Sequence, residues 1–240
     1  MHDVADCLNP PAGAADKSLV RWRNQDSALQ EQIRELERSL LETIETLNDA
    51  VEARDPYTAG HSQRVRRVAV AVGRALELSG EALEALETAA LFHDIGKIGM
   101  PDSILTKTDR LTREEQALMR EHVIRGAEII DRFPPFRRAI PGILHHHERW
   151  DGRGYPDGLS GDDIPIEAAI IGLADAWETI TSNRPYAAAL SLSDALAEIR
   201  AGRGLQFSPV VVDALWDVAK RRPADVLPSD APAVLGAVAS

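Results

Sequence analysis

The longest regular pattern of apolar positions lies near the start of the chain. Its members follow one another at steps of three or four residues: Leu29, Ile33, Leu36, Leu40, Ile44, Leu47 and Val51. Such spacing is typical of one face of an amphipathic α-helix. The pattern repeats every 11 residues, from Leu29 to Leu40 and from Leu40 to Val51, which is the period of a nearly straight helix rather than of a left-handed coiled coil. We therefore predict a helix over residues 26–54, after a flexible lead-in at residues 1–25.

The period of this helix does not decide between two roles. The helix could lie on its own domain, or it could be a stalk that dimerises or carries a signal. Its apolar stripe covers roughly 33 Å at 1.5 Å per residue, which is longer than a compact domain easily buries. We therefore expect a homodimer joined through residues 29–51.

The rest of the chain shows shorter segments with helical spacing, separated by proline and glycine. Predicted helices begin near Thr58, after Ser79, at Thr112 in a capping box, near Pro135, near Ile166, at Ser191 and at Ser208. No segment alternates between apolar and polar residues as a half-buried strand does. The sequence therefore predicts an all-α fold, with a peripheral tail at residues 223–240.

Composition and charge exclude several classes of function. The chain has 240 residues, 44% of them hydrophobic, which suffices for one sizeable domain with an extension. The net charge of −11 disfavours nucleic acid polymers and anionic membranes as partners, since both attract basic surfaces. Cys7 is the only cysteine, so an internal disulfide is impossible. Because the N-terminus is acidic and no apolar run reaches about 20 residues, we expect a soluble cytoplasmic protein.

Histidine and carboxylate side chains gather in the middle of the chain. Nearly all histidines lie between residues 61 and 147. A neighbouring pair such as His93 and Asp94 is by itself more often a helix-end cap beside a hydrogen-bonded histidine. Asp175 lies within a run of apolar residues, where a carboxylate needs a partner. Because imidazole and carboxylate are ligands for zinc, iron and manganese, we predict one metal site assembled from several segments.

Three motifs follow one another through this region. They are His93-Asp94-Ile95-Gly96-Lys97, the run from His146-His147-Glu148 to Gly154-Tyr155-Pro156, and Asp175 followed by Arg184-Pro185-Tyr186. On these motifs, residues from about 55 to 220 resemble the HD-GYP family, the bacterial branch of the HD-domain metal-dependent phosphohydrolases. The resemblance implies a helical bundle of the HD-domain type over residues 55–222, with two or three metal ions, often iron or manganese, at its centre. It also implies hydrolysis of cyclic diguanylate in second-messenger signalling.

The resemblance assigns roles to particular residues. The implied metal ligands are His61, His93, Asp94, His122, His146, His147 and Asp175. The implied substrate contacts are Lys97, Gly154, Tyr155, Pro156 and Arg184. Asp94 is expected to bridge two ions, and Asp94 and Lys97 to take part in catalysis, whereas His145 has no counterpart among the ligands. Trp150 and Tyr155 offer rings on which a purine can stack, although packing beneath the loop is the favoured interpretation of Trp150.

The implied residues suit the chemistry of phosphodiester hydrolysis. Two divalent ions supply a nucleophile at neutral pH and neutralise the charge that develops on the phosphoryl oxygens. Lys97 adds a further positive charge near those ions. Arg184 can hold a phosphate through two parallel hydrogen bonds.

Two positions depart from the family pattern. Some members carry a glutamate, associated with a third metal ion, where this chain has Tyr57. We therefore expect two ions, and we expect the linear dinucleotide to accumulate with slower or absent conversion to GMP. Glu178 stands where many relatives have aspartate, and its longer side chain is expected only to alter a substrate contact.

The sequence leaves three functions open. The favoured function is hydrolysis of cyclic diguanylate, because the Gly-Tyr-Pro motif of the loop is complete. The second is an HD phosphohydrolase that acts on another nucleotide, such as a mixed cyclic dinucleotide. The third is a non-catalytic signalling module that binds partners, such as diguanylate cyclase domains, through that loop. The complete set of implied ligands argues against the third as the sole role.

Overall fold

A computed structural model describes residues 12–54, 60–183 and 189–227, with side chains from residue 22 onward. Within these ranges all regular elements are helical and no β-strand occurs, which confirms the predicted all-α fold. The α-helices are α1 (Ala12–Glu52), α2 (His61–Ala75), α3 (Gly80–Phe92), α4 (Asp102–Leu105), α5 (Arg113–Arg120), α6 (His122–Asp131), α7 (Ile140–His145), α8 (Ile166–Thr181), α9 (Leu192–Ala201) and α10 (Pro209–Arg221). Short 3₁₀ helices occupy Ile95–Gly99, Pro134–Ala139, Gly161–Asp163 and Pro223–Asp225. A helix that could span a bilayer is absent from the described residues.

The contacts within the chain define two compact units, Met1–Ile44 and Glu45–Ser240. In the first unit, α1 begins at Ala12, so residues 12–25 are helical where the sequence predicted a flexible lead-in. This segment lacks a clear apolar period, which is why the pattern did not indicate a helix. Half of its 14 residues are nevertheless alanine, arginine, lysine or glutamine. The intrinsic preference of these residues for helix is high.

Within the first unit, α1 carries apolar side chains that are open to solvent. The exposed fractions are 55% for Leu29, 48% for Ile33 and 62% for Leu36. Ion pairs one helical turn apart lie beside them and join Glu31 to Arg34 and Glu35 to Arg38, at 2.5 and 2.6 Å. Such exposed pairs stabilise a helix only slightly, so they do not replace the burial of these apolar side chains.

The second unit is a helical bundle arranged around α2 and α8. Helix α2 packs against α3, α8 and α10, whereas α6 packs against the 3₁₀ helix Ile95–Gly99 and against α7. Its fully buried large side chains include Leu86, Phe92, Ile143, Ile170, Trp177 and Leu215. Burial of such apolar surface is the main force that holds a bundle together. The same packing brings the ends of α3 and α7 and the start of α6 to one point.

The segment after α10 belongs to this core. Trp177 is fully buried, and its Nε1–H donates a hydrogen bond of 2.7 Å to the backbone oxygen of Val226. Val226 is itself only 1% exposed. A buried indole N–H requires an acceptor, and this segment supplies it. Residues 223–227 are therefore attached to the core, whereas residues 228–240 of the predicted peripheral tail lie outside the described residues.

The C-terminal end of α1 also belongs to the second unit. Val51 and Glu52 are buried, and Glu52 Oε1 accepts a hydrogen bond of 2.7 Å from the backbone N–H of Ser62 in the first turn of α2. Asn48 Nδ2 donates to Ser62 Oγ at 3.1 Å. A carboxylate at this place satisfies a free N–H and interacts favourably with the helix dipole. The globular unit thus begins at residue 45 rather than at the predicted residue 55.

Two predicted helices are divided in the structure. The capping box predicted at Thr112 is present, since Glu115 N–H donates to Thr112 Oγ1 at 3.2 Å and Thr112 N–H donates to Glu115 Oε2 at 2.8 Å. However, α5 ends before Glu121 and α6 begins anew at His122. The helix predicted from about Pro135 begins as a 3₁₀ helix and becomes α7 only at Ile140, because proline lacks the N–H that a continuous α-helix uses.

Candidate metal centre

Three histidines at helix ends have the same local geometry. The Nδ1 atoms of His93, His122 and His146 lie 2.9, 2.7 and 2.8 Å from the backbone oxygens of Ala90, Met119 and Ile143. Because a carbonyl oxygen only accepts, each Nδ1 carries the hydrogen and each Nε2 keeps its lone pair. These Nε2 atoms are buried and have no hydrogen-bond partner within the described part of the chain. Since buried polar atoms are normally satisfied, the three lone pairs indicate ligand positions.

His61, at the start of α2, is held by two carboxylates of α8. Its Nδ1 lies 2.7 Å from Glu178 Oε2, and its Nε2 lies 3.3 Å from Asp175 Oδ1. Burial alone would lower the pKa of His61, but the hydrogen bonds to the two carboxylates raise it to about 10. Metal ligation at Nε2 therefore requires the release of a proton. The partner that the half-buried Asp175 needs is this histidine.

Asp94 lies between two sets of imidazoles. Its Oδ2 is 3.4 Å from His93 Nε2, and its Oδ1 is 3.4 Å from His122 Nε2. The two oxygens of one carboxylate thus face histidines from two different helices. This is the arrangement that a carboxylate bridging two cations requires.

The donor atoms form two groups, within each of which the atoms lie no more than 4.8 Å apart. One group is His61, His93 and Asp94, and the other is His122, His146 and His147. Asp175 adjoins the first group through His61, and Asp94 faces both groups. Imidazole nitrogens and carboxylate oxygens in this number suit divalent ions such as zinc, iron or manganese. The structure thus brings all seven implied ligands together, and the types of their donor atoms suit divalent metal ions.

Burial and neighbouring charges set the protonation states at the centre. Burial would raise the pKa of Asp94, but Lys97, whose Nζ lies 2.6 Å from Oδ2, and the nearby histidines hold it well below its usual value. Burial lowers the pKa of His147 to about 4, and His122 adds to this effect. Burial also places the pKa of His146 well below its usual value. These groups are an anion and neutral imidazoles at pH 7, which are the states that bind metal.

The Gly154-Tyr155-Pro156 loop lies directly on the ligand cluster. The Tyr155 ring stacks on His147 with centroids 4.8 Å apart and planes inclined by 28°. A Cβ on Gly154 would lie 2.4 Å from the Cα of Glu148, so only glycine allows the loop to approach so closely. The buried Glu148 carboxylate accepts hydrogen bonds of 2.8 and 2.9 Å from the N–H groups of Asp157 and Gly158. Glu148 therefore fixes the loop, a role that the sequence reasoning missed.

A family model described as "HD domain" matches residues 45–211. The chain belongs to the HD-domain family. "Cyclic di-GMP phosphodiesterase response regulator RpfG" of Xanthomonas campestris is 39% identical over 213 residues, which cover 82% of this chain and 56% of the relative. "3'3'-cGAMP-specific phosphodiesterase 3" of Vibrio cholerae is 38% identical over 163 residues, which cover 68% and 35%. The chain thus spans little more than half of the first relative and about a third of the second.

The fold of the HD domain agrees with a solved structure. The crystal structure of a cyclic GMP-AMP specific phosphodiesterase of Vibrio cholerae, V-cGAP3, matches with a TM-score of 0.61 at 21% identity, over 77% of this chain and 49% of that chain. At this identity the likeness shows the fold alone, and it confirms the predicted HD-type bundle. The names of the curated relatives agree with the predicted HD-GYP assignment. The metal centre of this HD domain is thus a candidate site for divalent ions.

Glu178 lies behind the metal centre of the HD domain. It is 3% exposed, and its carboxylate also accepts hydrogen bonds of 2.7 Å from Arg64 Nε and 2.8 Å from Ser182 Oγ. Burial would raise the pKa of Glu178, but the hydrogen bond from His61 and those of the other two donors lower it to about 2. Glu178 orients His61, which differs from the substrate contact predicted for it. Arg64 completes this network and was not singled out in the sequence.

We expect Glu178→Gln to lower the affinity for divalent metal by roughly 10- to 100-fold, the usual effect of removing a partner behind a metal ligand. The amide cannot accept from His61, Arg64 and Ser182 together, because its NH₂ group must itself donate. Titration with Mn²⁺ in competition with a chelator measures the change. Glu167→Gln, also on α8, is the matched control and should bind metal as the wild type does. A higher KM for substrate at unchanged metal affinity would instead indicate a direct substrate contact.

A cavity of 330 Å³ lies beside the ligands of the HD domain. Its lining includes His147, Asp175, Tyr155, Trp150 and Arg120. Trp150 is half-buried and lines this cavity. His145 points to Glu148 and Asp157, at 4.0 and 3.7 Å, and belongs to neither ligand group. Tyr57 and Arg184 lie outside the described residues, so the roles assigned to them stay predictions.

Proposed function

We propose that this HD domain is a metal-dependent phosphodiesterase that hydrolyses cyclic di-GMP. The observation that carries the proposal is the Asp94 carboxylate, each oxygen of which faces a different histidine group. The adjoining cavity, which Tyr155 lines together with three of the ligands, gives room for a substrate. The name of the Xanthomonas relative supports the choice of substrate. The cytoplasmic setting favoured by the single cysteine is part of the proposal.

We assign two divalent ions to the site, with iron or manganese as the expected metals. One ion would be held by His61, His93, Asp94 and Asp175, and the other by Asp94, His122, His146 and His147. When bound, such ions supply a nucleophile at neutral pH and neutralise charge on the phosphate.

The protein's own groups orient the reaction. The Nζ of Lys97, 2.6 Å from Asp94 Oδ2, fixes that carboxylate and brings positive charge to the place where phosphoryl oxygens gain negative charge. Tyr155, stacked on His147, covers the ligands and keeps bulk water from one side of the site. Lys97 and the Gly-Tyr-Pro loop are thus the predicted substrate-contacting groups that the described structure brings to the centre.

A time course of cyclic di-GMP hydrolysis tests the function. Anaerobically prepared protein loaded with iron or manganese would be sampled, and the products separated by chromatography. We expect the linear dinucleotide to accumulate, with GMP forming slowly or not at all. Rapid and nearly complete conversion to GMP would contradict the assignment of two ions. Binding of cyclic di-GMP without any cleavage would leave a signalling module, with a diguanylate cyclase domain as the expected partner of the loop.

The alternative substrate is a mixed cyclic dinucleotide. The 38% identical relative is named a cGAMP-specific phosphodiesterase, and the same metal chemistry would open either ring. The time course should therefore include 3'3'-cGAMP at the same concentration. Cleavage of 3'3'-cGAMP with no cleavage of cyclic di-GMP would establish this alternative and contradict our choice of substrate.

We propose that the protein is a homodimer joined through α1. The supporting observation is the exposure of Leu29, Ile33 and Leu36, which follow helical spacing in the middle of the helix. A protein that begins at Glu45 keeps the whole second unit, and we expect light scattering to show that it is monomeric while the full chain is dimeric.

Substitutions within the full chain give a matched test of the same interface. Ile33→Glu combined with Leu36→Glu should dissociate the dimer, because each change places a charge in an apolar contact. Gln32→Glu adds a charge to the same exposed helix and should leave the dimer intact. If both the double variant and the truncated protein are still dimers by light scattering, the interface is disproved.

A further inference from the structure

We propose that Arg120 binds the phosphate of the cyclic dinucleotide that is not being cleaved, and that the cavity beside it takes the attached nucleoside. This inference rests on the proposed function, since it concerns the half of the substrate that lies away from the metal ligands. A cyclic dinucleotide carries two phosphates in one ring, and the metal centre accounts for one of them. A second anion-binding group is therefore needed at the edge of the site.

Arg120 stands at that edge because of its contact with the loop. Its guanidinium carbon lies 4.8 Å from the centre of the Tyr155 ring, and this ring in turn stacks on His147. A chain of direct contacts thus connects Arg120 to a predicted metal ligand. Arg120 is the last residue of α5, just before the break at which α6 begins with His122.

The charge of Arg120 is not neutralised within the described part of the chain, where no hydrogen bond or ion pair involves its side chain. Two other cations around the ligands are paired, whereas Arg153, which lines the cavity beside the ligands, also lacks a side-chain partner among the described residues. Lys97 pairs with Asp94, and Arg149 forms two hydrogen bonds to Asp151, at 3.0 and 2.8 Å. In a chain with a net charge of −11, an unneutralised guanidinium that also contacts Tyr155 favours an anion at this edge of the site.

The position of Arg120 over the ring also leaves its guanidinium able to bind a phosphate. A guanidinium placed over an aromatic ring uses its face for that contact, while its N–H groups lie along its edge. These N–H groups remain able to donate two parallel hydrogen bonds to one phosphate. Contact with Tyr155 restricts the side chain before the substrate binds, which reduces the entropy lost on binding.

The space around Arg120 fits the remainder of the substrate. Arg120 and Tyr155 line both the cavity beside the ligands and a second cavity of 480 Å³. Pro156, Ala117 and Ile124 give the second cavity apolar surface, and Arg113 and Gln116 give it polar groups. Its volume lies in the range of small-molecule sites. A substrate that spans both cavities would pass Arg120 with its second phosphate.

The test compares two substrates that differ in the second phosphate. Cyclic di-GMP has it, whereas bis(p-nitrophenyl) phosphate is a diester with a single phosphate. For Arg120→Gln in the full-length, metal-loaded protein, we expect KM for cyclic di-GMP to rise roughly 10- to 100-fold, as for the loss of a hydrogen-bonded charge. Hydrolysis of bis(p-nitrophenyl) phosphate should stay within about twofold of the wild type. The KM of Arg120→Lys for cyclic di-GMP should lie between those of the wild type and Arg120→Gln. Lysine keeps the charge but cannot form two parallel hydrogen bonds to one phosphate.

Arg132→Gln is the matched control, because Arg132 is an exposed arginine that lines neither cavity, and it should leave both activities unchanged. Equal loss of both activities in Arg120→Gln would show that Arg120 only holds Tyr155 against the ligands, and this would overturn the inference. No effect on either substrate would overturn it as well.

Failure of the proposed function gives a different result. The wild type would then cleave bis(p-nitrophenyl) phosphate but not cyclic di-GMP. In that case equilibrium dialysis with 3'3'-cGAMP and with cyclic di-GMP decides the role of Arg120. An unchanged Kd in Arg120→Gln for whichever dinucleotide binds, or the absence of binding by either, would refute it, and a Kd raised at least about tenfold would support it.

Discussion

Asp94→Ala should remove bound metal and phosphodiesterase activity together. Both carboxylate oxygens face a histidine Nε2 at 3.4 Å, one from His93 and one from His122, so a single truncation removes a donor from both ligand groups. The ligands that remain would lack the one anion shared by both groups, which offsets the repulsion between the two ions. We expect a fall in turnover on the order of 10³-fold or more. Metal content by mass spectrometry and hydrolysis of cyclic di-GMP measure the two losses.

Asp109→Ala serves as the control, because Asp109 is an exposed aspartate outside both ligand groups. It should keep full metal content and activity. Circular dichroism would verify that the Asp94 variant retains its helices, which is expected because removal of the carboxylate also removes a charge that is costly to bury. Undiminished occupancy of two ions in Asp94→Ala would contradict the bridging assignment, whatever the activity.

Gly96→Ala should destabilise the HD domain more than the substitution of any exposed residue. A Cβ at this position would lie 1.9 Å from the backbone oxygen of His122 and 2.6 Å from the backbone nitrogen of Gly126. Backbone atoms cannot swing aside as a side chain can, so α6 as a whole would have to move. We expect the free energy of unfolding to fall by roughly 3 kcal/mol or more. This corresponds to a drop in Tm of about 6–12 °C for a domain of this size.

Thermal and urea unfolding in the presence of a chelator measure this effect without a contribution from metal binding. Gly99→Ala lies in the same 3₁₀ helix, and its Cβ would meet only the side chain of Arg125, at 2.8 Å from Nη1. That flexible side chain can rotate away, so the control should cost less than about 1 kcal/mol. Equal stability of the two variants would show that α6 adapts to the added methyl group.

The close approach at Gly96 also explains why this glycine stands between Asp94 and Lys97. The backbone of the 3₁₀ helix packs directly on that of α6, which leaves no room for a side chain at this position. The contact sets the distance between Asp94 and His122, and a larger residue would separate the two ligand groups. A local pattern cannot reveal this, since the two segments that touch are distant in sequence.

Several other features of the site have the same origin. Glu178 is read from the sequence as an acid one helical turn after Asp175, and nothing local indicates that it supports His61 from 117 residues away. Glu148 follows two predicted ligands, yet its role is to accept two backbone N–H groups of the loop. Both carboxylates are buried, and the burial of a charge is known only when the elements around it are packed.

The sequence by itself determined the helical character of the chain, the segments that carry imidazole and carboxylate donors, and the family to which they belong. These properties depend on side-chain chemistry and on spacing within one helix, which are local. Only the tertiary structure decided that Asp94 faces two histidine groups, that Arg120 lies over Tyr155, and that the domain begins at residue 45. Such relations depend on which helix ends meet in space, and that is set by the packing of the apolar faces of α2, α3, α6, α7 and α8 against one another.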